Sequence, residues 1–375
     1  MLNVILTMIV KNEERSLKRC LAAAKPYVDG MVIVDTGSTD LTKEIAQSFG
    51  ADVTDFTWCD DFSSARNASI ERAESKFDAD FMLVLDADEY LREDEACNPE
   101  RFRRFLDDAV QRNRNIAGLI RRNDAFPADD GISYSITTVT RLLPRGTRYE
   151  GSIHEQPVPP KNIPTRMTPL FVEHDGYLQS GKGERNLRLL LKALEKDPDN
   201  AYYQYQTAVT YRNMKELGKA LPHFRQFYGL SQFKDKKSPY FIEGTLLYLY
   251  TLTDVGEEEN LIEAFSVMEQ VEKRYEESPD FYFFSGIYYM KLVLCNTQKY
   301  GGFLPMIERC YLKCLELGEN NRTFGVVGTG SYRAYYNLGT WYEVSGQLPK
   351  AKECYQKAAA SKYGPAIERL KLFTK

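Results

Sequence analysis

Asp86 and Asp88 stand two residues apart in "FMLVLDADEYL", where the apolar run Phe81 to Leu85 gives way abruptly to carboxylates. In an extended chain they would point to one side, roughly 6.6 Å apart over two strand rises. Two carboxylates so placed suit a ribose hydroxyl and a divalent cation. Mg²⁺ or Mn²⁺ is commonly held by one or two carboxylates, with substrate phosphates completing the shell. The plainer alternative is a solvated acidic turn that ends a strand. A further carboxylate, Asp35, closes "VIVD" ahead of "TGSTD", in which Ser38, Thr39 and Asp40 read as caps for the next helix. "LTMIVKNEE" brings Thr7, Asn12 and Glu13 toward a neighbouring strand end.

Two of the three histidines lie close together in the chain, in "YEGSIHEQP" and "FVEHDGYL". His154 is a candidate general base, because an imidazole pKa near 6.5 suits proton transfer without tuning. Its neighbour Glu155 could instead be an ordinary salt-bridge partner of Arg141 or Arg148. His174, after an apolar strand, is a candidate third metal ligand or diphosphate contact, or simply a packed ring. His223, beside Pro222, reads as structural.

The elements that must position these groups alternate. "NVILTMIV", "GMVIVD", "ADVTDF" and "DFMLVLD" have strand character, and the segments between them have helical spacing. Gly50 is placed to end one helix in the left-handed conformation, and Asn98-Pro99 to open another. Strand–helix alternation with wholly apolar strands predicts a mostly parallel sheet covered on both faces. Ligands of such a sheet bind at the C-terminal strand ends, where Asp35, Asp86 and Asp88 fall. The first turn has no Gly-x-Gly-x-x-Gly and the chain no Gly-x-x-x-x-Gly-Lys-Ser/Thr, which argues against a dinucleotide dehydrogenase and a P-loop nucleotidase.

Tyrosine marks a change of alphabet, with 20 of 25 after residue 200. There Leu338, Gly339, Tyr342, Ala351, Tyr355 and Ala358 have the spacing of a tetratricopeptide repeat. Ala208, Tyr211, Ala220 and Phe224 form a looser copy, and Gly286 and Tyr289 begin another. About four helix pairs are expected from residue 182 onward, giving an all-α solenoid able to bind a peptide or to form a homodimer. The expected division is 1–180 for the α/β domain and 181–375 for the repeats. A net charge of −4 offers no positive field for nucleic acid. No apolar run is long enough to span a bilayer, and the N-terminus reads as a strand rather than a signal peptide. Seven scattered cysteines suggest reduced thiols and a cytoplasmic setting.

"TMIVKNEERSLKRCL", "VIVDTGSTDLTKEIA", "DFSSARNASI" and "LVLDADEYL", in that order, resemble the successive motifs of glycosyltransferase family 2, with its Rossmann-like GT-A fold. The resemblance covers about the first 175 residues. It implies that Thr7 and Asp35 contact the uracil of a UDP-sugar, that Asp86 meets the ribose or the metal, and that Asp88 meets the metal. It places Arg66, in "SARN", near the base or the diphosphate. It also implies a carboxylate base opposite the donor, for which Glu155 is the candidate, and His154 the rival.

A catalytic domain of this kind followed by tetratricopeptide repeats resembles the sublancin-type bacterial peptide glycosyltransferases. That implies transfer of glucose, with inversion, to a cysteine or serine of a bacteriocin-type peptide. A cell-envelope saccharide as acceptor, or a non-catalytic scaffold, are the competing expectations.

Overall fold

A computed structural model describes residues 2–111, 115–128, 131–176, 183–234, 239–319 and 325–373. It divides into two units, Met1–Pro127 with Ile136–Lys182, and Ala128–Ser135 with Gly183–Lys375.

The first unit follows the alternation. In order come β1 (Val4–Val10), α1 (Leu17–Ala24), β2 (Gly30–Asp35), α2 (Thr42–Ser48), β3 (Asp52–Asp55), α3 (Phe62–Phe77) and β4 (Phe81–Val84). Then follow β5 (Glu89–Leu91), α4 (Pro99–Gln111), β6 (Ala117–Ala128), β7 (Gly131–Pro144), β8 (Arg148–Glu150), β9 (Gln156–Val158) and β10 (Thr165–His174). The main sheet runs β3-β2-β1-β4-β7-β6-β10-β5, while β8 and β9 pair as a separate small sheet. Strands β1 to β4 pair in parallel, β7 runs antiparallel to β4, and β10 pairs in parallel with β6 and antiparallel with β5.

The strands are apolar throughout because both faces are covered. On one face Ile5, Val32 and Val84 pack with Ile70 and Ala73 of α3. On the other, Leu6, Met8 and Ile33 pack with Leu17 and Leu21 of α1 and with Phe102 and Leu106 of α4. The end signals hold: Gly50 follows α2 with φ +79°, and Asn98 Oδ1 accepts from Arg101 N at 3.0 Å to cap α4.

The second unit is helical: α5 (Gly183–Lys196), α6 (Ala201–Asn213), α7 (Leu217–Lys234), α8 (Pro239–Val255), α9 (Glu258–Val271) and α10 (Pro279–Cys295). After them come α11 (Thr297–Tyr300), α12 (Leu304–Leu317), α13 (Tyr332–Val344), α14 (Leu348–Ala360) and α15 (Gly364–Leu372). Four repeat-like pairs result among the described residues: α6–α7, α8–α9, α10–α12 and α13–α14. The small residues in the repeat pattern have a direct cause. A Cβ on Gly339 would lie 2.8 Å from the Tyr355 ring, and one on Gly286 would lie 2.6 Å from the Tyr311 ring. Each glycine is the seat of a buried aromatic from the partner helix.

Between α12 and α13, Asp280 of α10 anchors a turn, accepting from Val326 N at 2.8 Å and Thr329 Oγ1 at 3.3 Å. Cys310 and Cys314 are buried as free thiols. His223 bonds Gln204 through Nδ1 at 2.7 Å and stacks on Tyr211. Among the described residues no helix is long and apolar enough to cross a membrane.

Candidate active site

The "DADE" segment does not stay extended. After Leu85 the chain turns, Glu89 N donating to Asp86 O at 3.0 Å, and re-enters the sheet as β5. The expectation of two carboxylates side by side is corrected by this turn, which sends Asp86 and Asp88 to different partners.

Asp86 meets α3 and β7. Its Oδ1 accepts from Arg66 Nη2 and its Oδ2 from Arg141 Nη2, both at 2.5 Å. Burial pushes this carboxyl up, but the Arg141 and Arg66 guanidiniums outweigh it and hold Asp86 well below the usual carboxylate range. Arg141 Nη2 also reaches buried Glu89 Oε1 at 2.7 Å, and Arg122 Nη1 reaches the same oxygen at 3.1 Å. Removing one partner from the buried Arg141–Glu89 pair typically costs about 3–5 kcal/mol, because a charge is left stranded.

Asp88 turns toward β10. His174 Nε2 lies 3.7 Å from Asp88 Oδ1, and its Nδ1 lies 2.7 Å from Asp124 Oδ1. The register accounts for the row: Asp124 on β6 and Glu89 on β5 are the two strand neighbours of His174. Asp124 is buried, which raises its carboxyl, but the His174 hydrogen bond and Arg122 bring it below its ordinary value. Thr137 Oγ1 donates to its other oxygen at 2.8 Å. Gly176 lies over the pair: a Cβ there would fall 2.3 Å from Asp88 Oδ2 and 2.6 Å from His174 Nε2. Only a glycine fits where the backbone passes this close to the carboxylate and the ring. Asp88 and His174 fit a divalent cation as two ligands, with Asp124 orienting the ring as metal-bound histidines require. Among the described residues no group of three such side chains gathers.

Glu155 lies on the loop between β8 and β9, and its Oε1 accepts from Arg66 Nε at 2.6 Å. This corrects the expected partners: Arg141 serves Asp86 and Glu89, and Arg148 serves Glu74. Helix α3 fixes the loop that carries Glu155. Phe62 N donates to Ser152 O at 2.9 Å, while Asn67 accepts from Tyr149 N at 2.7 Å and donates to Tyr149 O at 3.0 Å. His154 adopts φ +49°, and its Nε2 is buried without a partner. Burial pulls its pKa below the ordinary 6.5, despite the opposing charge of Glu155, so the ring is neutral at pH 7.

Asp35 is fully buried at the end of β2. Its Oδ1 accepts from Gly37 N at 2.9 Å and Ser38 N at 2.8 Å, while Oδ2 is left without a partner. Thr7 is also buried with its Oγ1 unpaired, but inside β1, opposite Val32 and Val84. Alternation puts it on the α3 side of the sheet and Asp35, two residues after Ile33, on the other. The structure does not bring these two to one face. Asn12, at φ +56°, accepts from Thr39 N at 2.8 Å and donates its own N–H to Ser38 Oγ at 2.9 Å. Glu13 N donates to Thr42 Oγ1 at 2.7 Å, and its carboxylate accepts from Ser16 at 2.9 Å. Both residues tie the loop after β1 to the loop after β2.

The sequence reading missed Arg122, Asp124, Asn67 and Gly176, and gave Arg141 the wrong carboxylate. Arg122 and Asp124 are separated by one residue on β6 and so share a face. That period-two signal was available in "IRRND".

With this geometry in hand, residues 6–126 match the family described as glycosyl transferase family 2, and residues 189–221 match the tetratricopeptide repeat. Over 216 residues the chain is 29% identical to the SPbeta prophage-derived glycosyltransferase SunS of Bacillus subtilis, covering 52% of this chain and 45% of that protein. Over 91 residues it is 48% identical to a TPR repeat-containing protein of Synechococcus elongatus, covering 24% of this chain and 22% of the other. The chain thus spans less than half the length of these curated relatives. Among solved structures, MamA from Desulfovibrio magneticus RS-1 is 15% identical at a TM-score of 0.37, covering 48% of this chain and 85% of that one. Glucosyl-3-phosphoglycerate synthase from Mycobacterium tuberculosis is 22% identical at a TM-score of 0.25, covering 32% and 44%. Residues 6–126 thus match a glycosyl transferase family 2 domain and lie on a mostly parallel sheet, and a tetratricopeptide match follows among the helices of residues 189–221.

Proposed function

We propose that the chain is a metal-dependent, inverting glycosyltransferase that moves a hexose, glucose foremost, from a UDP-sugar to a cysteine or serine side chain of a peptide. The observation that carries this reading is one guanidinium, Arg66, holding both Asp86 at the strand edge and Glu155 on the neighbouring loop. Donor-side and acceptor-side carboxylates of a family 2 domain are thereby within one side chain of each other.

In this reading Asp35 offers its unpaired Oδ2 to an N–H of the nucleobase, an acceptor already stripped of water. Asp88 and His174 would hold Mg²⁺ or Mn²⁺, which when bound neutralises charge on the departing diphosphate. Glu155 takes the proton of the acceptor thiol or hydroxyl. The sulfur or oxygen then bonds to C1 as the bond from C1 to the diphosphate oxygen breaks, and UDP leaves with that electron pair. Glu155 rather than His154 is the base in this reading, because the His154 Nε2 is buried. A peptide acceptor is supported by the likeness to SunS and by the repeat helices, whose fold commonly serves protein recognition.

Calorimetry of UDP with and without Mn²⁺, on the native protein and on Asp88→Ala, tests the donor half. Metal-dependent binding that the substitution abolishes is expected; binding indifferent to both would overturn it. Mass spectrometry of Cys and Ser peptides incubated with UDP-hexoses tests the acceptor half, and a hexose found only on saccharide would overturn that.

A further inference from the structure

Arg66 is shared, and the sharing is incomplete. Its side chain is 7% exposed; Nε is committed to Glu155 and Nη2 to Asp86, but Nη1 is buried with no hydrogen-bond partner. A buried guanidinium N–H without an acceptor is costly, and a catalytic role or an absent ligand is one explanation of such a group. Asp86 does not depend on Arg66 alone, because Arg141 holds its second oxygen. Glu155 has Arg66 as its one ion-pair partner shown, and the loop that carries it is pinned to α3 through Ser152 and Tyr149. The backbone around Glu155 is fixed, so the guanidinium is the part able to change allegiance.

We infer that Arg66 is the positioning residue that couples donor occupancy to the base. In the empty site it neutralises Glu155. When a nucleoside diphosphate arrives, the guanidinium turns toward the phosphate oxygens and releases the Glu155 carboxylate to accept the acceptor's proton. This rests on the UDP-sugar reading above and assigns a role within that site. It makes Glu155 a competitor of the donor for one cation. Proton transfer is thereby withheld until there is a leaving group to displace.

The competition is measurable without turnover. UDP affinity, by calorimetry with Mn²⁺ present, is compared for the native protein, Glu155→Gln, Arg66→Gln and the double variant. Glu155→Gln keeps the side chain's shape but removes its claim on Arg66, so UDP should bind about tenfold more tightly, a coupling of about 1.4 kcal/mol. In the Arg66→Gln background the same substitution should change UDP affinity by less than about twofold. A Glu155→Gln effect of equal size in both backgrounds would mean simple charge repulsion and would overturn the inference, as would no effect in either.

Should Arg66→Gln not fold, Arg66→Lys carries the same test, because an ammonium cannot serve two carboxylates in the fork geometry. The coupling should then fall below about threefold, and a full tenfold coupling with lysine would overturn the role assigned to the guanidinium. Failure of the native protein to bind UDP at all would bring down the donor reading itself. Binding without coupling would bring down this inference alone.

Discussion

Asp124 lies 2.7 Å from His174 Nδ1, on the side of the ring away from Asp88, so the ring's Nε2 is the nitrogen turned to Asp88. A carboxylate on Nδ1 fixes the tautomer and the orientation of the ring. Asp124→Asn should therefore weaken Mn²⁺ binding about 10- to 100-fold without touching a ligand. Titration of Mn²⁺ by electron paramagnetic resonance in the presence of UDP checks this, and unchanged affinity would disconnect the histidine from the metal.

Gly176 is the reciprocal test. A methyl at this position would fall 2.3 Å from Asp88 Oδ2, closer than any real contact, and must displace Asp88, His174 or its own backbone. Overpacking of this kind costs about 1–3 kcal/mol of stability. Gly176→Ala should also erase the metal-dependent part of UDP binding while sparing the metal-independent part. Calorimetry with and without Mn²⁺ separates the two.

Glu155→Ala should discriminate between acceptor atoms. A thiol with a pKa near 8.5 is partly ionised at neutral pH and needs little help, whereas a hydroxyl must lose its proton during attack. The loss of rate should be at least about tenfold larger on a serine peptide than on its cysteine twin. Equal losses on the two peptides would remove Glu155 from the role of base.

In the repeat unit, burial raises Asp280 from the ordinary 3.8 to about 6, against the lowering effect of its bonds from Val326 and Thr329. The folded state therefore holds this proton more tightly than the unfolded one. Stability from this group is full below about pH 4 and is lost as pH rises through about 6. Asp280→Asn keeps an acceptor for the Val326–Thr329 turn and cannot ionise, so it should flatten that part of the profile. Melting temperatures between pH 4 and 7, native against variant, give the answer; parallel curves would refute it.

The layers of the first unit were legible because apolar strands, helix caps and Gly50 agree with one another locally, each encoded within a few residues. The repeats were legible for a related reason: Gly339 and Tyr355 are paired by period. The site was legible only as far as strand ends go. Asp35 and Asp86 could be placed at the sheet edge, but the turn at Ala87 that separates Asp86 from Asp88 is fixed by Glu89. That residue is drawn inward by Arg122 and Arg141, from strands 30 to 50 residues downstream. The same distance in sequence hid Asp124, which matters through its register opposite His174. Partners chosen by sheet register leave no local trace, and the swap of Arg66 for Arg148 as the companion of Glu155 is the same lesson.

Asn67 gives its amide to both the N–H and the C=O of Tyr149, doing for one residue what a neighbouring strand would do. The β8–β9 ribbon is thus fastened to a helix and not woven into the main sheet. Along α3, Phe62, Arg66, Asn67 and Glu74 all grip that ribbon or the loop within it, while the opposite side of the helix belongs to the sheet. Such a part is a cassette with a standard socket. Its outward side chains can change what is presented to the carboxylate without disturbing the strand ends, because its hold on the domain runs through one helix.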